Sequence, residues 1–132
     1  MRAAVITAVC FLAQPAHAGT ALQTTEQLYT YCLDAQRVLR GADQGEWSIE
    51  ASMNAGNCIG ALLAMNGMVN RLSANDILPT KACSHMQSVM QIVAVYVDWV
   101  ERNPKHMMRL SSDTFTAAMI EAFPCTEHPW PK

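Results

Sequence analysis

Four cysteines limit what this chain can fold into more than any other feature of its sequence. They are Cys32, Cys58, Cys83 and Cys125. An even number of cysteines in an exported chain indicates two disulfides, for which three connectivities exist. The alternative is a zinc site with four cysteine ligands. Such sites bring their ligands in closely spaced pairs, whereas consecutive cysteines here lie at least 25 residues apart. The sequence therefore predicts two disulfides.

Residues 1–18 indicate that the chain is exported. Arg2 gives a positive start, residues 3–12 are apolar, and Ala16–Ala18 reads A-x-A. This is the pattern of a secretory signal peptide, with cleavage after Ala18. A membrane helix is the alternative, but roughly ten apolar residues cannot cross a ~30 Å hydrocarbon core. We expect Cys10 to leave with the signal and residues 19–132 to form a single domain.

The charge of the predicted mature chain excludes one class of partner. Without Arg2, the chain has eight basic and eleven acidic residues, which gives a net charge of −3. No basic run or patch is visible, so we expect no nucleic-acid partner. We also expect no membrane partner for the mature chain, and a homodimer is compatible with the sequence.

Two helices are predicted in the first half of the mature chain. Thr24 is a hydroxyl cap, the apolar residues recur at helical spacing from Thr25 to Arg40, and Gly41 can end the helix. A second helix is predicted from Ser48 to Leu72. It carries a row of small residues at three- to four-residue spacing, and this row predicts close packing in a central, largely buried helix. The row is Gly56, Gly60, Ala64 and Gly67.

Two further helices are predicted in the second half. Ser84 and Gln87 have the S-x-x-Q spacing of a capping box, which starts the third helix. Asn103-Pro104 ends it, and a fourth helix begins at Ser112 or Asp113. The predicted core positions are Val89, Ile92, Val93, Tyr96, Val97 and Val100 in the third helix and Phe115, Ala118, Met119 and Ala122 in the fourth. The sequence therefore predicts an all-α fold, a small bundle of about four helices with antiparallel neighbours.

Helix order predicts which cysteines pair. Cys32 and Cys58 lie at about 12 to 17 Å from the first turn, on either side of it, so an antiparallel hairpin brings them level. Cys83 precedes the third helix and Cys125 follows the fourth, so a second hairpin brings these ends together. We predict the disulfides Cys32–Cys58 and Cys83–Cys125.

One polar turn, Gly41 to Trp47, is the first candidate for partner contacts. Asp43, Glu46 and Trp47 place a tryptophan beside two acids, a composition that suits an interface. In the alternative interpretation, Trp47 folds back onto the first helix. The connection from Ser73 to Lys81 is a second candidate.

No catalytic or metal-binding motif is recognisable. His85, His106 and His128 are far apart in the sequence, and disulfide pairing leaves no free thiol. Histidine–methionine pairs could suggest copper(I), but methionine is more often core material. We expect neither an enzyme nor a cofactor.

Four short motifs resemble those of the Rap/Tai family of immunity proteins. The last of them is distinctive, and together they span most of the mature chain. They are Asn57-Cys58-Ile59-Gly60, Ser84-x-x-Gln87, Tyr96-Val97 followed by Asn103-Pro104, and Ala122-Phe123-Pro124-Cys125.

The resemblance implies a small exported helical protein that protects a bacterium from an amidase effector of type VI secretion. It implies that the chain binds this peptidoglycan amidase in the periplasm and blocks its active site. It carries over no contact residue. Two alternatives remain: a periplasmic acid-stress or chaperone-like protein of the HdeA type, and an orphan binding module.

Overall fold

The computed structural model describes residues 23–41 and 48–125 of the chain. Within these ranges the order of elements is α1 (Thr25–Arg40), α2 (Ile49–Ala74), α3 (Val89–Arg102), a 3-10 turn (Pro104–His106) and α4 (Ser111–Ala122). The prediction of an all-α fold with two disulfides is confirmed. The predicted signal peptide lies outside the described residues. No described helix is long and apolar enough to cross a membrane.

Helix α1 has the bounds that its local sequence predicts. The Thr24 side chain accepts a hydrogen bond from the backbone N–H of Gln27, which satisfies one of the free amides of the first turn. Gly41 ends the helix with φ of 61°, the left-handed conformation that glycine adopts without steric cost. Leu28, Cys32 and Ala35 are fully buried along one face.

Helix α2 buries only one of its faces, so the prediction of a largely buried helix is wrong. Ser48 caps it through a hydrogen bond from Ala51 N, and the buried face includes Cys58, Leu62 and Val69. The row of small residues lies on the exposed side, where Cβ atoms built on its three glycines would meet nothing within 4 Å. Within the described residues, the glycines therefore do not serve close packing.

Helix α3 begins four residues later than predicted. The capping box is formed by Ser88 and Gln91, whose backbone and side-chain groups bond reciprocally. Ser84 has the same S-x-x-Q spacing, but it is fully buried, and its hydroxyl contacts the side-chain oxygens of Asn66 and Asn70. This contact with α2 holds Ser84 away from a capping position.

Helix α4 begins at Ser111 after the N-cap residue Leu110, and no side chain caps it. The predicted start at Ser112 or Asp113 is therefore one or two residues late. The chain just before α1 lies against this end instead, since Ser111 N donates to the carbonyl of Gln23. Ala122, predicted as a core position, is exposed.

The core lies where α3 and α4 meet α1 and α2. Its largest fully buried side chains are Tyr96, Phe115, Leu28, Leu62, Ile92 and Met119. The rings of Tyr96 and Phe115 are 6.1 Å apart. Burial raises the pKa of Tyr96 to about 12, although the Thr114 and Thr25 hydroxyls act in the opposite direction. The Tyr96 hydroxyl makes no hydrogen bond within the described residues.

Two disulfides hold this arrangement, and they join the pairs that helix order predicts. Cys32–Cys58 connects α1 to α2, with a Cα–Cα distance of 5.1 Å and both residues fully buried. Cys83–Cys125 has the same Cα–Cα distance but joins the segment before α3 to the segment after α4, where both residues are half-buried. We call α1, α2 and Cys32–Cys58 the core hairpin.

Candidate partner-binding surface

The connection between α2 and α3, residues 75–88, is the largest irregular segment that the structure describes. We call it the stapled loop. It starts with a sharp reversal at Asp76, whose φ of 56° is uncommon for a residue other than glycine. The Asn75 side chain donates to Arg71 O at 2.7 Å, and Ile77 N donates to Leu72 O at 3.0 Å. These bonds satisfy carbonyls at the end of α2 and fix the direction in which the loop leaves it.

A small polar cluster under the loop attaches its second half to α2. Ser84 contacts Asn66 and Asn70, and Ala82 N donates to the Ser73 hydroxyl at 3.1 Å. Asn66 and Ser73, like Ser84, are buried. Because a buried polar group is costly unless it is paired, these contacts favour a single position for the loop backbone.

The C-terminal end of the described chain holds the loop from its other side. Cys83 N donates to Phe123 O at 2.8 Å, and Cys125 N donates to Lys81 O at 3.3 Å. An isolated antiparallel bridge joins Ala82 to Pro124 between them. The disulfide Cys83–Cys125 closes this short ladder covalently. The stapled loop is thus fixed both to α2 and to the end of α4.

The stapled loop exposes two large apolar side chains. Ile77 is 64% exposed and Met86 is 80% exposed. Asp76 and Lys81 form an ion pair between the two halves of the loop. Apolar side chains on a backbone that is already ordered suit protein binding, because little conformational entropy remains to be lost on association.

A second polar cluster lies at the far end of α3. Trp99 Nε1 and Arg102 each donate to the Glu121 carboxylate at 2.8 Å, and Arg102 also bonds Asp98 at 3.0 Å. Arg102, and then Trp99, lower the pKa of Glu121. The His106 ring packs on Trp99 at 5.5 Å. A carboxylate with both oxygens engaged is a poor general base, so this cluster connects α3 to α4 structurally.

The structure places the other predicted candidates as follows. Asp43, Glu46 and Trp47 lie outside the described residues, as does His128. His85 is in the stapled loop and His106 follows α3, so the length of that helix separates them. Within the described part of the chain, no three histidine, cysteine, aspartate or glutamate side chains form a group that could hold a metal ion. Ile77 and Met86 were not predicted as exposed positions, because isolated apolar residues in a loop carry no periodic signal.

These features define a small helical protein with two disulfides. The family of Rap1a immunity proteins matches residues 24–125, from the cap of α1 to the second cysteine of the stapled loop's disulfide. The chain therefore belongs to the Rap1a immunity protein family, in agreement with the resemblance of its motifs. Membership implies a non-catalytic inhibitor that binds a cognate effector. No curated protein and no solved structure matches the chain.

Proposed function

We propose that this protein is a periplasmic immunity protein that binds and inhibits a peptidoglycan amidase effector of type VI secretion. The observation that carries the proposal is the family match over nearly all of the described chain. Two disulfides support an oxidising compartment such as the periplasm. The predicted signal peptide, cleaved after Ala18, would deliver the chain there.

We further propose that the stapled loop contacts the amidase. Ile77 and Met86 are the anchors in this proposal, since both are apolar, strongly exposed and held by an ordered backbone. A bound inhibitor needs a rigid element that can enter or cover a cleft, and preorganisation favours tight binding. The turn with Asp43, Glu46 and Trp47 is proposed as a secondary contact.

The test begins with a search of the genes beside this chain's own for one that encodes an exported amidase effector. The purified immunity protein should bind that amidase and stop it from hydrolysing peptidoglycan. The double variant Ile77→Asp/Met86→Asp should weaken binding by roughly 30-fold or more, the effect of losing an anchor residue. Met108→Asp is the matched control, because Met108 is 79% exposed but follows the opposite end of α3.

Three outcomes would count against the proposal. Wild-type protein that neither binds nor inhibits the amidase would remove the function. Binding that the loop variant leaves unchanged would remove only the role of the stapled loop. An N-terminal sequence of the periplasmic protein that does not begin at Gly19 would contradict the predicted cleavage.

A further inference from the structure

The two disulfides differ in how closely another molecule can approach them. Cys32 and Cys58 have no exposed surface, and they lie between helices that pack along their length. Cys83 and Cys125 are half-buried and lie outside the helices. Thiol–disulfide exchange requires that a thiolate reaches a sulfur atom. An external thiolate can therefore attack Cys83–Cys125 in the folded protein, whereas Cys32–Cys58 must first be uncovered.

The backbone ladder beside Cys83–Cys125 is too short to persist without the disulfide. It consists of one isolated bridge and two hydrogen bonds, Cys83 N to Phe123 O at 2.8 Å and Cys125 N to Lys81 O at 3.3 Å. A single isolated pair of strands is at best marginally stable in water. Reduction should thus let the end of the described chain separate from the stapled loop.

The stapled loop keeps its attachment to α2 when this disulfide opens. The Ser84 hydroxyl contacts Asn66 and Asn70, and Ala82 N donates to the Ser73 hydroxyl. None of these contacts involves the segment after α4. The loop is therefore held twice, once by a polar cluster that a reductant does not affect and once by a bond that a reductant breaks. Reduction loosens the loop without releasing it.

We propose that Cys83–Cys125 is a reversible redox site, at which a protein dithiol of the Cys-x-x-Cys class controls how firmly the stapled loop is held. One thiolate of the dithiol attacks a sulfur of the pair, so that the Cys83–Cys125 bond breaks and a mixed disulfide forms. The second thiolate then attacks the sulfur of its own protein in the mixed disulfide and closes the Cys-x-x-Cys disulfide. Two electrons pass to Cys83 and Cys125, which each take up one of the two protons that the dithiol has lost.

The redox site rests on the proposed function only where it concerns amidase binding. Ile77 and Met86 lie on either side of Cys83 in the sequence, so the ladder supports the loop that carries both. A loosened loop must be ordered again on association, which lowers affinity. If the loop keeps its binding position in about one third of the reduced molecules, affinity falls about threefold. The oxidised protein is then the stronger inhibitor.

A trapping experiment tests the site without the amidase. The purified, oxidised protein is mixed with a reduced Cys-x-x-Cys protein whose second cysteine is replaced by serine, so that the mixed disulfide cannot resolve. Peptide mapping by mass spectrometry should find this bond on Cys83 or Cys125. A mixed disulfide on Cys32 or Cys58 would overturn the proposal, as would trapping that occurs only after urea has unfolded the chain.

Hydrogen exchange and circular dichroism test what reduction does to the fold. After selective reduction, the amides of Cys83 and Cys125 should exchange roughly tenfold faster or more, because their acceptors move away. The amides of α1 and α2 and the helical signal should stay unchanged, and reoxidation should restore slow exchange. Loss of the helical signal would overturn the proposal, because the opening would then be global. Unchanged exchange would overturn it as well, because the ladder would then persist without the disulfide.

Binding to the amidase separates this inference from the proposed function. Cys83→Ala/Cys125→Ala should bind about threefold more weakly than the oxidised wild type and should not respond to the dithiol. Ser84→Ala retains the disulfide but lacks part of the attachment to α2, so reduction should weaken its binding more than that of the wild type. Equal affinity of oxidised and reduced protein would overturn the control of binding. An oxidised protein that binds no amidase would refute the proposed function, and trapping and hydrogen exchange would still decide the redox site.

Discussion

The core hairpin and the stapled loop are each closed by a disulfide, but the two bonds have different surroundings. Cys32–Cys58 lies between two long helices that already pack along their length, and water does not reach it. Cys83–Cys125 joins two segments that share a short backbone ladder, and both of its cysteines are half-buried. The first bond lies inside the core, whereas the second lies at the edge of the core. The same covalent link should therefore respond differently to mutation and to reductant.

Removal of the core disulfide should have the largest effect. Cys32→Ala/Cys58→Ala loses about 3.5 kcal/mol of loop-closure stabilisation by the entropic model. The missing sulfurs also leave a gap in a fully buried site, which adds roughly 1 to 2 kcal/mol. Chemical denaturation of the variant should therefore show a free energy of unfolding lower by about 5 kcal/mol. A loss no greater than that of the other disulfide would show that burial adds nothing here.

The disulfide of the stapled loop should contribute slightly less to stability and be reduced first. Cys83→Ala/Cys125→Ala should cost about 4 kcal/mol, since its loop is longer but its site is only half-buried. Under mild dithiothreitol, mass spectrometry after alkylation should find Cys83 and Cys125 labelled before the core pair. Simultaneous labelling of all four cysteines would show that the two disulfides do not differ in their accessibility to reductant.

Alkaline pH should weaken the core through Tyr96. Its pKa is about 12 in the fold and about 10 in the unfolded chain. The stabilisation is thus complete below pH 10 and is lost as pH rises towards 12, by roughly 2.7 kcal/mol for two pKa units. Comparing unfolding of the wild type and Tyr96→Phe at pH 9 and pH 11.5 isolates this group. The two proteins should differ in pH dependence, and parallel curves would rule out the effect.

Ser84 tests how much a buried polar contact contributes to holding the stapled loop on α2. Ser84→Ala leaves the buried Asn66 and the half-buried Asn70 without this hydroxyl partner and should cost about 2 kcal/mol. Ser88→Ala is the matched control, because it removes only the cap of α3 and should cost about 1 kcal/mol. If Ser88→Ala proved the more costly in thermal or chemical unfolding, the capping role would outweigh the buried contact.

Acid should have the smallest effect on both regions. Among the described carboxylates none is buried, and Arg102 lowers the pKa of Glu121. A glutamate whose pKa is lowered by folding stabilises the fold at pH values above its ordinary pKa, near 4.3. This stabilisation is lost as the pH falls through the pKa that the glutamate has in the folded protein. Because Glu121 is exposed, the loss is small, and circular dichroism at pH 2.5 should retain the helical signal. Unfolding with dye binding would favour the acid-stress alternative.

The two regions also differ in how far sequence could predict them. Both ends of α1 are determined by neighbouring residues in the sequence. Thr24 caps the first turn, and Gly41 adopts the left-handed conformation that glycine allows. The start of α3 is different because SHMQ and SVMQ follow each other with equal capping potential. The asparagines of α2 bury Ser84 and leave Ser88 to form the cap. Only the packed structure contains that information.

The α2 row marks the other limit of sequence reasoning. A row of small residues predicts close packing, but the pattern does not say which face of the helix the core will cover. In this chain Cys58, Leu62 and Val69 lie on the opposite face, and that is the face that packs into the core. The candidate loop contacts Ile77 and Met86 were missed for a related reason, because exposure of a loop residue depends on elements far along the chain.

The hydrogen bonds that join the start of α1 to the start of α4 affect when the chain can fold during its synthesis. Thr25 is fully buried, and its groups bond Arg109 O and Thr114 at distances of 2.9 to 3.0 Å. A chain that emerges with its N-terminus first cannot complete these contacts until nearly its whole length is free. Contacts of such sequence separation form late. The junction between α1 and α4 should thus stay open while the chain emerges and close only after Thr114 has appeared.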